Sequence, residues 1–163
     1  MGDLDPVSWE EIAAVLGPPA PAVTAAVERH RDDLRDVPPY EAVKTVHDAL
    51  AADPDGADVP DQGEVLLVTY LLERDGVVDL DAAPETGVPS VLARRPSDER
   101  LRELSWDRER TMWWIAVRLG VHWSLVRYWL WEADVPLKER NFGPESMAKL
   151  RAHRDGDAGG GAQ

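Results

Sequence analysis

The chain has 163 residues, with 31 acidic and 18 basic side chains, a formal net charge of −13 and 44% hydrophobic residues. This suits one globular domain of ordinary size or two to three very small ones, and no apolar run approaches the roughly 20 residues that a bilayer-spanning helix needs. Cysteine is absent, so disulfides and thiolate metal sites are excluded, and a reducing, cytoplasmic setting is expected.

The opening MGDLDPVSWEE is acidic and has no apolar centre, so no secretory signal is expected in it. Ser8 followed by Glu11 is a capping-box pattern that opens a helix. Between Ser8 and Arg35, Ile12-Ala13, Leu16-Gly17, Val23 and Val27 outline two short helices joined at a glycine. The outward positions there are Pro19, Ala20, Pro21, Thr24 and Ala25, which offer almost nothing to a base or a phosphate. Tyr40 to Ala51 is expected as a helix with Val43, Val46, His47 and Leu50 on one face. Residues 1–52 therefore read as an acidic helical module.

The segment DPDGADVPDQG, residues 53–63, is nearly all turn formers and acid and reads as a linker. EVLLVTYLLE, from Glu64 to Glu73, fits a buried helix or a strand, and its length and leucines favour the helix. Gly76-Val77-Val78 begins a short strand or enters a turn. Leu80 to Ala93 carries a faint further echo of the two-helix spacing in Ala83, Gly87 and Val88, interrupted by Pro84 and Thr86. Residues 64–95 are thus expected as a helical connector or a degenerate third unit.

Ser97 can cap the next helix, although Arg100 stands where a full capping box has an acid or amide. Leu101, Leu104 and Trp106 are placed to face inward, Asp107 to Arg110 forms a loop, and Thr111 caps again. TMWWIAVRLGVHWSLVRYWLWE then reads as two short helices joined at Gly120, which can take the positive φ that ends the first. Ile115, Ala116 and Leu119 share one face of the first helix, and Val121, Val126, Trp129 and Leu130 rebuild an apolar stripe in the second. Asp134-Val135-Pro136 breaks that helix. PLKERNF is expected as an extended basic arm, residues 143–154 as a short helix, and 155–163 as a disordered tail.

A small residue four before a glycine, with apolar residues one, six and nine after it, occurs at Ala116, Gly120, Val121, Val126 and Trp129. This segment resembles the DNA-reading unit of homeodomain-like helix-turn-helix proteins. The resemblance implies an all-α fold with a three-helix helix-turn-helix domain at 96–142, toward the C-terminal end. The acidic helical N-terminal part then contains a degenerate helix-turn-helix-like unit. It also implies sequence-selective binding to double-stranded DNA by a small transcriptional regulator. His122, Trp123, Ser124, Arg127 and Tyr128 would meet base edges, and Arg108, Arg110, Lys138 and Arg140 the flanking backbone.

Charge is distributed accordingly, with 9 basic and 23 acidic residues in 1–104 but 9 basic and 6 acidic in 105–154. The Asp-rich, Lys-poor usage resembles proteins of halophilic archaea. Two other readings stay open. The fold can serve as a protein–protein adaptor, with Trp113, Trp114, Trp123 and Trp131 as the surface for a protein partner or a homodimer. It can also be the DNA-targeting arm of a mobile-element system. No catalytic constellation stands out: the histidines are scattered without metal-ligand spacing, and no glycine loop is built to cradle phosphate. Neither an enzyme nor a cofactor nor a metal site is expected.

Overall fold

Ser8, Ser97 and Thr111 each start a helix by the same device, a side-chain oxygen that takes a backbone N–H left over at the first turn. The computed structural model describes residues 6–53, 61–80 and 90–162. Across them the chain is mostly helical, an all-α fold with one small two-stranded ladder. It divides into two compact units, residues 1–19 with 130–163, and residues 20–129.

In the smaller unit, β1 (Pro6–Val7) pairs antiparallel with β2 (Leu137–Lys138), Val7 standing opposite Leu137. The Ser8 hydroxyl accepts from the Glu11 amide at 3.2 Å and opens α1 (Trp9–Val15). α8 (Pro144–Ala162) packs on α1. Val7, Trp9, Ile12, Leu137, Met147 and Leu150 are buried, and the Trp9 indole N–H donates to the Val135 carbonyl at 2.8 Å. Arg154 of α8 fastens three segments, donating to the Glu11 carboxylate, to Glu139 at 3.3 Å and to the Pro6 carbonyl at 3.2 Å. The Glu11 hydrogen bond is the main reason that the guanidinium pKa lies above its ordinary value.

Two expectations are corrected in this unit. PLKERNF is not an extended arm: Leu137 and Lys138 form β2, and Glu139–Asn141 make a 3-10 turn in which the Asn141 side chain accepts from the Lys138 amide at 2.9 Å. The partner strand lies over a hundred residues away in sequence, so no local pattern announces the pairing. α8 also continues past the expected boundary at 154, because glycine costs a helix only about 1 kcal/mol per residue relative to alanine and does not forbid it.

In the larger unit, α2 (Pro21–His30) and α3 (Pro39–Ala52) both carry proline in the first turn, where its missing N–H costs nothing. α3 buries Ala42, Val46 and Leu50 at four-residue spacing. α4 (Asp61–Arg74) begins inside the segment expected as linker and packs on both α2 and α3. Leu67, Val68, Tyr70, Leu71 and Leu72 are all essentially buried, so apolar side chains cover most of its circumference.

Two carboxylates go inside with α4. Glu64 pairs with His47 Nδ1 from α3. Glu73 accepts from the Ser90 hydroxyl at 2.6 Å and from the Val91 and Leu92 amides at 2.7 and 3.1 Å, which organises the 3-10 turn Leu92–Arg94. After α4 the Val77 and Val78 amides both turn back to the Leu72 carbonyl, so Gly76-Val77-Val78 is a turn and not a strand.

α5 (Asp98–Arg102) starts at Ser97 and unwinds into a π turn over Glu103–Asp107. Thr111 accepts from the Trp114 amide at 3.0 Å and opens α6 (Met112–Leu119). Gly120, at φ +70°, ends it, and α7 (Trp123–Glu132) follows; its last turn, from Leu130, belongs to the smaller unit. The two-helix module expected at Ser8–Arg35 is divided between the units, α1 packing on α8 and α2 on α3 and α4. Pro18 to Pro21, with Ala20 at φ +46°, is where it parts. Most of the echo expected at Leu80–Ala93 lies outside the described residues.

The Gly120 conformation leads to a direct test. A Cβ there has room, its nearest neighbour being Arg94 Nη1 at 3.7 Å, so Gly120→Val is penalised by the backbone alone, by about 1–3 kcal/mol. Glu73→Ala strands three donors and costs about 1–3 kcal/mol as well. Urea unfolding measures both, and curves that coincide with the wild type would remove the turn and the cap from the account.

Candidate functional site

α6 is short, and its sides do different work. Ile115 and Ala116 are buried, while Trp113 and Val117 are 67% and 65% exposed. Trp113, Ala116, Val117 and Gly120 follow one another at helical spacing, so they form a single face. Opposite stand Gln62, Val65 and Leu66 of α4, again at helical spacing. Together with Val121, His122 and Trp123 these two faces wall an open groove of about 680 Å³. Of the ten lining residues only Gln62 and His122 carry polar side chains.

Trp114, on the neighbouring side of α6, is 38% exposed, and the Arg110 guanidinium lies 4.5 Å from its ring centroid. Arg118 is exposed, and Arg94 donates to the Gly120 carbonyl at 2.9 Å. From Arg110 to Trp131 the chain has no acidic residue, although acids make up 31 of its 163 residues. The groove itself is lined mostly by apolar side chains.

The residues expected to read DNA are placed very differently from one another. His122 and Trp123 are half-buried at the groove, their rings 5.3 Å apart. Arg108 and Arg110 are exposed before α6. Arg108 is engaged with Glu103 at 3.3 Å; the hydrogen bond from Arg100, with help from Arg108, holds that carboxyl below its ordinary pKa. Lys138 and Arg140 belong to the other unit, where Arg140 is exposed.

For three of these residues the expected outward placement is corrected. Ser124 and Tyr128 do not face outward: they are 6% and 2% exposed. α4 is the reason. The Ser124 hydroxyl bonds His122 Nδ1 at 2.8 Å where α7 meets Gly63. The Tyr128 ring stands edge-on to Tyr70 at 6.3 Å, and its hydroxyl accepts from Arg74 at 3.3 Å. Lys138, expected on an open arm, is 2% exposed in β2. Arg127 is half-buried, and burial lowers its pKa. Its Nε and the indole nitrogen of Trp129 are the buried side-chain atoms without a hydrogen-bond partner among the described residues.

Val65, Leu66 and Val117 were not among the expected site residues. Val117 carried a legible signal, since it lies off the core stripe of α6 and four residues after Trp113. The α4 residues carried none, because an all-apolar run does not declare which of its sides stays open. Among the described residues no group of three or more His, Asp or Glu is placed to hold a metal, and no helix is long and apolar enough to cross a membrane. Comparison with protein-family models, curated proteins and solved structures finds no significant match to this chain.

The close approach of α4 to α7 is testable at Gly63. Replacing an ordinary mid-helix glycine by alanine gains about 0.5–1 kcal/mol. Here the new Cβ would press into the Ser124 hydroxyl and lie 2.8 Å from His122 Nδ1, so Gly63→Ala should instead lose about 1–3 kcal/mol. In a Ser124→Ala background part of that loss should vanish. A stabilising Gly63→Ala, or strict additivity of the two changes in urea unfolding, would separate the helices.

Proposed function

We propose that this chain is a helical adaptor that holds a protein partner on the outer face of α6. The observation that carries this reading is the contrast between the two helices of the pair. On α7 six of ten residues are buried, including two of the expected base readers, while α6 exposes Trp113, Trp114 and Val117. Exposed tryptophans beside an apolar groove are costly to leave in water and are the residue type most often dominant in binding energy. A reading helix needs the opposite arrangement, with an open polar face on the second helix.

A second reading, selective binding of duplex DNA, is favoured by the Arg127 guanidinium. Arg127 is half-buried on α7, the helix expected to read bases, and a guanidinium is the group that pairs bidentately with a guanine edge. The two readings diverge in a competition titration on selected and scrambled duplexes. For the adaptor, no duplex is preferred at any salt concentration. For a DNA reader, Arg127→Ala narrows the gap between preferred and random sites by about 1–3 kcal/mol. Trp113→Ser and Val117→Asp, both on an exposed face, should leave urea stability within about 0.5 kcal/mol of wild type. Their binding to a purified partner should weaken by about 2 kcal/mol or more. A partner that binds these variants as tightly as the wild type would overturn the adaptor reading.

A further inference from the structure

We draw no further inference here: the strongest candidate, the apolar groove between α4 and α6, carries none, because nothing in the structure shows what covers it.

Discussion

The burial of α4 is the constraint on which the larger unit depends. Its apolar side chains project in most directions, so no single stripe suffices and neighbours must cover it on several sides. α2 and α3 pack on it, and Tyr70 carries the contact to α7, edge-on to Tyr128 and to Trp129 with centroids 6.3 and 5.7 Å away. Edge-to-face pairs contribute about 0.5–1.5 kcal/mol each beyond the area they bury. At the other end of the contact Gly63 lets the start of α7 come close, because a hydrogen occupies the place of a methyl. A helix held at both ends in this way is a core element.

The polar groups buried with α4 follow the same logic. A carboxylate removed from water without partners is far too costly to persist, so each has been matched. Glu64 has the His47 imidazole, and Glu73 has one hydroxyl and two amides. These contacts join α4 to α3 and to the segment that leads into α5, and they are directional where apolar packing is not. In the smaller unit Arg154 plays the corresponding part, joining α8 to Glu11, Glu139 and the Pro6 carbonyl.

What α4 covers and what it leaves open set which side chains of α6 and α7 are exposed. It packs on the Ser124–Tyr128 side of α7 and buries both residues. Gln62, Val65 and Leu66 of α4 stand across an open trough from Trp113 and Val117 of α6. Arg110 lies over Trp114, and Arg118 is exposed on α6, both off the face that lines the trough.

Local chemistry by itself determined several helix starts and the turn at Gly120. Ser8, Ser97 and Thr111 cap because a hydroxyl before a helical run takes a free amide whatever lies around it. Gly120 turns because glycine takes a positive φ without the strain that a side chain adds. The spacing of Ile115 and Ala116, and of Val126 and Trp129, likewise marked sides that are buried. Only tertiary structure decided which of the remaining sides stay open. Periodicity names a helix's strongest apolar side but not how many neighbours it will have, so Ser124 and Tyr128 read as outward until α4 came to lie on them. The same holds for Lys138, buried in a ladder with Pro6–Val7, and for the division of the Ser8–Arg35 segment between α8 and α4. In each case the deciding partner is distant in sequence, and its approach leaves no mark on the residues it covers.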